Sequence, residues 1–171
     1  MRVFIAESGA ASGIVAQQLK AVLPLIVQGL DPYLASLDMP KGVAWASELM
    51  AEIDRCDFGL FCVTSESLRS AWFNFEAGAT LKSPRNQEGR VFAYLVGGSL
   101  PSRSPLTLFQ FTRANYEDTY ALFSQFNEAN SRRVSTDHFK RLFDTFWPDL
   151  RTAVSAARRL SRPDGDGNGR S

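Results

Sequence analysis

The sequence is poor in the residues that most often bind metals or act as nucleophiles. Among its 171 residues there is one histidine, His138, and there are two cysteines, Cys56 and Cys62. A zinc site needs about four closely spaced ligands, so we expect no structural or catalytic metal ion. A single histidine and the lack of a G-x-S-x-G motif also argue against a Ser-His-Asp hydrolase. So few cysteines, both in or beside an apolar stretch, are typical of a reduced, cytoplasmic protein.

The sequence also lacks an excess of one charge and any long hydrophobic run. Nineteen Lys and Arg residues face eighteen Asp and Glu residues, a net charge of +1, so no nucleic-acid partner is expected. No apolar run reaches the roughly 18 residues of a membrane span, and Met1–Ala6 lacks the features of a signal peptide. A hydrophobic content of 44%, with 12% aromatic residues, predicts a well-folded body.

The hydrophobic pattern predicts an α/β fold. Strands are predicted at Val3–Ile5, Tyr33–Leu37, Phe58–Val63, Val91–Val96 and Thr107–Thr112. Helical periodicity separates the first four strands, at Val15–Ile26, Trp45–Cys56 and Ala71–Lys82. The unbroken apolar run of the third strand is typical of a central parallel strand that helices cover on both faces. This alternation predicts an open, mostly parallel sheet with right-handed crossovers.

Two more helices are predicted after the last strand. Asn115 is expected to cap the first of them, and Thr136 or Asp137 the second. The last residues are almost entirely Arg, Pro, Asp, Gly, Asn and Ser, a composition that predicts a flexible tail. We therefore predict one α/β domain with a C-terminal helical extension over residues 1–160, and a flexible tail over residues 161–171.

Glu76 is the residue that most needs an explanation. It is the only charged residue between Ala71 and Leu81, and Trp72 and Phe75 share its helical face. Burying a carboxylate is unfavourable unless the group has a partner or a chemical role. Two interpretations stay open: a structural glutamate paired with an arginine or a backbone amide, and a functional carboxylate.

The position of Glu76 in the predicted sheet favours a functional role. In a sheet of strand order 2-1-3-4-5, ligands bind beyond the carboxyl ends of strands one and three. The helix that carries Glu76 directly follows strand three, so this side chain can border the crevice.

The loop after the first strand contains Gly9 and Gly13 and precedes a helix. Backbone amides in such a position can bind phosphate groups. The loop lacks both G-x-G-x-x-G and G-x-x-x-x-G-K-[ST], so no dinucleotide fingerprint or P-loop is present. The residues alone therefore favour a plain tight turn over a phosphate site.

Four segments, taken in order, resemble the Toll/interleukin-1 receptor (TIR) domain of stand-alone bacterial proteins. They are RVFIAES with its loop serine, the stretch from Ser36 through Gly42 to Trp45, DFGLFCVT, and SAWFNFEAGA. The second of these corresponds to the variable BB loop of the family, and the fourth to the helix that bears its glutamate. Together they cover about residues 2 to 112, and the stretch from Trp72 to Gly78 is the most specific part.

The resemblance implies a flavodoxin-like fold and an NAD+ nucleosidase. Such enzymes cleave the nicotinamide–ribose bond of NAD to give nicotinamide and linear or cyclic ADP-ribose, and many act in bacterial anti-phage defence. Glu76 matches the catalytic glutamate of the family. The implied NAD contacts are Ser8, Gly9, Ser36, Asp38, Lys41, Trp45 and Trp72. NAD is then a substrate, and no bound cofactor is expected.

The chemistry of NAD cleavage is compatible with one carboxylate. Loss of nicotinamide leaves an oxocarbenium-like ribose, which a nearby carboxylate stabilises as in glycoside cleavage. The nicotinamide ring already carries a positive charge and needs no protonation to leave. The sequence departs from many bacterial relatives at Ala6-Glu7, where they have a Ser-His pair, so contacts near the nicotinamide or the phosphates are expected to differ.

The resemblance also implies partners. They are further copies of the chain, through TIR–TIR contacts, and an effector protein that receives a nucleotide signal. Two other functions stay open at this stage. One is a non-catalytic assembly module whose Ser36–Gly42 loop docks onto a neighbouring copy. The other is an enzyme similar to nucleoside deoxyribosyltransferases, which share an open α/β fold and a nucleophilic glutamate.

Overall fold

A five-stranded parallel sheet forms the centre of the structure, a computed structural model that describes residues 1–42, 44–83, 91–97 and 109–161. Its strands are β1 Arg2–Ala6, β2 Asp31–Leu34, β3 Phe58–Val63, β4 Val91–Leu95 and β5 Gln110–Arg113. They lie in the order β2-β1-β3-β4-β5, and every neighbouring pair is parallel. The predicted open parallel sheet of flavodoxin-like order is therefore confirmed.

Helices cover both faces of the sheet. They are α1 Ala10–Ile26, α2 Ala35–Asp38, α3 Trp45–Arg55, α4 Ala71–Lys82, α5 Tyr116–Ala129 and α6 Thr136–Leu160. One apolar core joins the sheet to α1, α5 and α6, and a second joins its other face to α3 and α4. None of the described helices combines the length and the apolarity needed to cross a bilayer.

The second strand is present, but its predicted bounds were wrong. It occupies Asp31–Leu34 rather than Tyr33–Leu37, and the residues after it form the short helix α2. The carboxylate of Asp38 accepts the Leu34 amide hydrogen at 2.7 Å, which ends the strand, and Lys20 donates to the Pro32 carbonyl at 2.9 Å. These bonds provide partners for the Leu34 amide and the Pro32 carbonyl in β2, an edge strand of the sheet. An edge strand also tolerates a proline, which has no amide hydrogen.

Two helix starts also differ from the predictions. Helix α1 begins at Ala10, and the Gly13 amide donates to the Gly9 carbonyl at 3.0 Å, so Gly13 lies inside the helix rather than in a loop. Helix α6 is capped by Ser135, whose hydroxyl accepts the His138 amide hydrogen, and not by Thr136 or Asp137.

The cap of α5 was predicted correctly. The Asn115 side chain accepts the Asp118 amide hydrogen at 2.8 Å. The predicted strand residues 107–108 and the predicted tail residues 162–171 lie outside the described residues. The C-terminal helix is tied to the sheet by Arg158, whose guanidinium donates to the carbonyls of Val96 and Ala114 at 2.7 and 2.9 Å.

A glycine in β3 lets α4 approach the sheet closely. A Cβ atom at Gly59 would lie 2.7 Å from Thr80 Cγ2, nearer than such atoms normally come. Thr80 is one helical turn beyond Glu76, and its hydroxyl donates to the Glu76 carbonyl at 2.8 Å. The small residue in the central strand thus sets how close α4 and its carboxylate lie to the sheet.

Candidate active site

The candidate site lies at the carboxyl ends of β1 and β3, which are neighbours in the sheet. The order of the strands reverses here, since the chain passes from β1 outward to β2 and returns to β3. Such a switch point is where open parallel sheets bind ligands. The segments around it are Glu7–Gly9, α2, the first turn of α3, and α4.

The start of α4 is fixed by side-chain caps. The Ser70 hydroxyl accepts the Phe73 amide hydrogen at 3.2 Å, as expected for a serine at an N-cap. The Asn74 amide group donates to the carbonyls of Ser70 and Leu68 at 2.9 and 3.3 Å. These bonds hold the first turn in place, so Glu76 in the second turn has a defined position.

Glu76 lies on the buried side of its helix. Its side chain is 5% exposed, and Phe73, Ala77 and Thr80 form the rest of the buried stripe. Its Oε1 atom accepts a hydrogen bond from Trp72 Nε1 at 2.9 Å. Among the described residues, no lysine or arginine forms an ion pair with it. In the described part of the chain, therefore, no arginine neutralises this buried carboxylate.

Burial changes the acidity of Glu76. It raises the pKa of the carboxyl group from 4.5 to about 7; the bond from Trp72 lowers the pKa, and the negative charge of Glu7 raises it. A carboxyl group with such a pKa changes charge in the physiological range. Groups with such shifted pKa values are frequent at functional sites, although buried structural groups also have them.

Three aromatic side chains beside Glu76 are exposed. Trp45 in α3 and Phe75 in α4 both contact Trp72, with ring centroids 4.4 and 5.1 Å from it. The three residues are 45%, 50% and 38% exposed, in the order Trp45, Phe75, Trp72. An exposed aromatic patch next to a buried carboxylate reverses the usual placement of apolar and charged groups, so this patch is a candidate binding surface.

Glu7 is a second carboxylate at the site, and its role was not predicted. It directly follows β1, and burial raises its pKa while hydrogen bonding from the Ser36 side chain lowers it. The sequence signal was present, since Glu7 directly follows a predicted strand at the edge of the sheet where ligands bind. The pattern could not show that this residue acts on Glu76, which is far away along the chain.

The predicted NAD contacts Ser8 and Gly9 precede α1, and protein groups lie close to both. The Ser8 amide hydrogen is donated to the Ser12 hydroxyl at 2.9 Å. Gly9 is the N-cap with φ of 95°, and the Glu66 carboxyl group lies so close that a Cβ atom at Gly9 would overlap it. This arrangement agrees with the tight turn that the residues alone favour, and NAD contacts at Ser8 and Gly9 stay predictions.

The predicted contacts after β2 separate into two groups. Ser36 interacts with Glu7 and therefore belongs to the candidate site. Asp38 forms an ion pair with Lys20 at 2.6 Å and lines a separate cavity of about 250 Å³. Lys41 is exposed in the turn before α3. Of the predicted residues, Trp45, Trp72 and Glu76 come together, whereas Ser36 interacts with Glu7 and Asp38 with Lys20. Among the described residues no group of three potential metal ligands is found.

The comparisons with known proteins identify the family. The family model for the TIR domain matches residues 3–126, which is more than half of the chain. The chain is a member of the TIR domain family. The match extends from β1 into the last turn of α5, so it includes every element of the candidate site. A search of curated proteins finds no match.

Family membership explains the architecture around Glu76. The TIR domain in this chain supplies the parallel sheet, the loops at its carboxyl edge and helix α4, while α6 lies beyond the matched residues. TIR domains include enzymes that cleave NAD and modules that only assemble. The choice between these functions depends on the site itself.

Proposed function

We propose that this TIR domain is an NAD+ nucleosidase in which Glu76 is the catalytic carboxylate. The observation that carries the proposal is a glutamate that is 5% exposed, with no ion-pair partner among the described residues, beside three exposed aromatic rings. A carboxylate in such a place is unfavourable for stability. Its retention is understandable if it stabilises a positive charge that develops during a reaction.

The reaction would break the bond between the nicotinamide nitrogen and C1′ of the ribose. The bonding electron pair leaves with nicotinamide, which becomes neutral, and C1′ acquires positive charge. Ionised Glu76 stabilises this oxocarbenium-like centre, and an oxygen atom of water then bonds to C1′ and loses a proton. If the adenine ring attacks in place of water, the product is cyclic ADP-ribose.

The aromatic side chains supply binding energy for the same substrate. The nicotinamide ring of NAD is a planar cation before cleavage, and aromatic faces attract such cations. Trp72 holds Glu76 through its indole nitrogen and exposes part of its ring. It can therefore position the carboxylate and contact the ring of the substrate. Trp45, at 4.4 Å from Trp72, extends this surface.

The test is incubation of the purified protein with NAD at high protein concentration, followed by chromatographic separation of the products. The wild type is expected to release nicotinamide, and Glu76→Gln is expected to release none. Glutamine keeps the hydrogen bond from Trp72 but cannot carry a negative charge. Glu128→Gln, at an exposed position in α5, is the matched control and should retain full activity.

The same experiment identifies the product and can reject the proposal. ADP-ribose indicates hydrolysis, and a product lighter by one water indicates cyclisation. Full activity of Glu76→Gln would contradict the proposed role of this residue. Cleavage of a deoxynucleoside without cleavage of NAD would instead support the activity of a deoxyribosyltransferase. We place the proposed enzyme in bacterial immune signalling, where an effector would receive its product.

A second candidate function is assembly through TIR–TIR contacts. It is favoured by Leu37 in α2, which is 56% exposed on the Ser36–Gly42 segment. Leu37 lies in the segment that would dock onto a neighbouring copy, so it is the position at which such a contact can be tested. Sedimentation of the wild type and of Leu37→Asp tests this function. A self-association that the aspartate abolishes supports it, and an identical monomeric state of both proteins contradicts it.

A further inference from the structure

A cavity of about 250 Å³ lies at the edge strand β2, between this strand and helix α3. Its lining includes Tyr33 of β2 and both Glu48 and Glu52 of α3, but neither Glu76 nor the three exposed aromatic residues. Pockets for drug-sized ligands usually have volumes of about 300 to 1,000 Å³. An occupant of this smaller cavity must therefore be a small molecule or ion.

The cations that line the cavity are already engaged by carboxylates. The Arg2 guanidinium donates to Glu52 at 2.7 Å and forms an ion pair with Asp31 at 3.1 Å. The Lys20 ammonium group forms an ion pair with Asp38 at 2.6 Å. Each of these two cations thus has its own acidic partners in the wall of the cavity.

Glu48 is a further carboxylate in the lining, and it has no such partner. Among the described residues, no lysine or arginine forms an ion pair with it. Arg55, on the same helix, pairs with Glu52. Glu48 is half-buried, so water screens its charge less than that of a fully exposed group. The lining therefore has an excess of negative charge that a bound cation would balance.

The hydroxyl group of Tyr33 is a second group without a partner. Tyr33 is 5% exposed, and its hydroxyl forms no hydrogen bond within the described part of the chain. Burial raises the pKa of this hydroxyl, and the carboxylates that line the cavity, Glu52 most strongly, raise it further. A buried hydroxyl without a hydrogen bond is unfavourable for stability. Its oxygen can accept a hydrogen bond from a ligand in the cavity.

We propose that this cavity binds a small primary alkylammonium ion, whose ammonium group donates to the Glu48 carboxylate and to the Tyr33 hydroxyl oxygen. An ammonium group combines one positive charge with three N–H donors, so it can serve the unpaired carboxylate and the hydroxyl together. The short alkyl chain would lie against Pro32 and Pro40, which also line the cavity.

Other small ions match the lining less well. A divalent metal ion needs several ligands at one point, and the described residues contain no group of three acidic, histidine or cysteine side chains placed to hold one. A small anion would meet the unpaired Glu48 carboxylate, while Arg2 and Lys20 are already paired. The charge of the lining and its unpaired acceptors thus favour an organic cation.

The test is an NMR titration of the full chain, labelled with nitrogen-15, with butylammonium chloride near neutral pH. Sodium chloride holds the ionic strength constant, because salt screens charge interactions. The backbone amide resonances of Tyr33, Glu48 and their neighbours should shift to saturation. A dissociation constant in the millimolar range is expected for a ligand of so few atoms. Butan-1-ol has a similar shape but no charge, so it is the matched control and should leave these resonances unchanged.

Two variants test the two contacts. Glu48→Gln removes the negative charge and should weaken binding about tenfold or more, because hydrogen bonds to charged groups are strong. Tyr33→Phe removes one acceptor and should weaken binding about two- to tenfold. The phenylalanine ring keeps the contacts with Phe4 and Arg2, so this variant should fold. Asp54→Asn removes a charge at an exposed position of α3 and should leave the dissociation constant unchanged.

Several results would overturn the proposal. Shifts that do not saturate would do so, as would equal shifts with butan-1-ol. Equal weakening in Glu48→Gln and Asp54→Asn would show a general attraction of cations to the surface in place of a site. Saturable binding of phosphate or magnesium at these residues, without binding of butylammonium, would contradict the proposed class of ligand.

A lysine side chain of a second copy carries the same chemical group as a free amine. The cavity is a small concave space within one chain, so we assign it to a free amine. Dilution of the amine-free protein should leave the resonances of Tyr33 and Glu48 unchanged, and a change on dilution would contradict this assignment. Binding of the amine does not depend on NAD cleavage, so the titration decides the proposal even if the wild type releases no nicotinamide.

Discussion

Helices α4 and α6 differ in the polarity of the side chains that they bury. The buried side of α6 is entirely apolar, formed by Phe139, Phe143, Leu150, Ala153, Val154 and Ala157. The buried side of α4 includes Glu76, while Trp72 and Phe75 on the same helix are exposed. Helix α6 therefore buries only apolar side chains, as stability requires. Helix α4 departs from this rule at the carboxyl edge of the sheet, where it buries a carboxyl group. The proposed catalytic role of Glu76 would account for this departure.

The largest effect on stability should come from the apolar side of α6. Phe143 is fully buried and packs against Phe123 and Tyr116 at ring-centroid distances of 5.8 and 5.3 Å. Phe143→Ala should lower the free energy of unfolding by about 3 to 5 kcal/mol, because it removes buried contacts and leaves a cavity. Urea denaturation measures this loss.

The corresponding aromatic residue of α4 provides the contrast. Phe75 is 50% exposed, so Phe75→Ala should lower the free energy of unfolding by about 1 kcal/mol or less. If Phe143→Ala and Phe75→Ala lowered the free energy of unfolding equally in the same experiment, the proposed difference between the two helices would be contradicted.

A second effect should show that Glu76 is unfavourable for stability. Its pKa is raised in the folded state from 4.5 to about 7, so the wild type loses stability as the pH rises through this range. Glu76→Gln avoids this loss and should be more stable than the wild type above pH 7, by about 3 kcal/mol. The difference should be small at pH 4.

Thermal denaturation at pH 4 and pH 8 measures this effect. It is independent of any substrate, so it tests the buried carboxylate apart from its proposed reaction. A Glu76→Gln variant that is less stable than the wild type at pH 8 would show that the carboxylate has a stabilising partner.

The smallest predicted effect concerns the exposed aromatic surface. Trp45→Ala removes the ring that lies 4.4 Å from Trp72 but leaves Glu76 and its hydrogen bond in place. Such aromatic contacts are worth about 0.5 to 1.5 kcal/mol, so the KM for NAD should rise by a factor of about ten or less. The kcat should change little. Steady-state kinetics separates the two constants, and a loss confined to kcat would argue against a binding role.

Much of the fold could be predicted because its signals are local and strong. The strand Phe58–Val63 and the helix Ala71–Lys82 have the predicted bounds, since an unbroken apolar run and a clear cap define them. The second strand was predicted wrongly because its end depends on the Asp38 side chain, which bonds to the Leu34 amide. A hydrophobic pattern contains no information on such a bond.

The candidate site could be predicted in part. Glu76 was recognised because a single charge among aromatic residues is visible in the sequence. The ring centroids of Trp45 and Trp72 lie 4.4 Å apart, as is compatible with the NAD contacts that the family resemblance implied for both residues. The roles of Trp45 and Trp72 in binding NAD stay predictions. The action of Glu7 on Glu76 depends on the pairing of β1 with β3, which brings together residues that are distant along the chain.

The measurement that tests the central claim most directly is the rate of nicotinamide release from NAD as a function of pH, for the wild type and for Glu76→Gln. The wild-type rate should rise with pH and level off, with a midpoint near 7, because in the proposed reaction the ionised form of Glu76 is the active one. Glu76→Gln should release no nicotinamide at any pH. Release by Glu76→Gln at the wild-type rate would contradict the account.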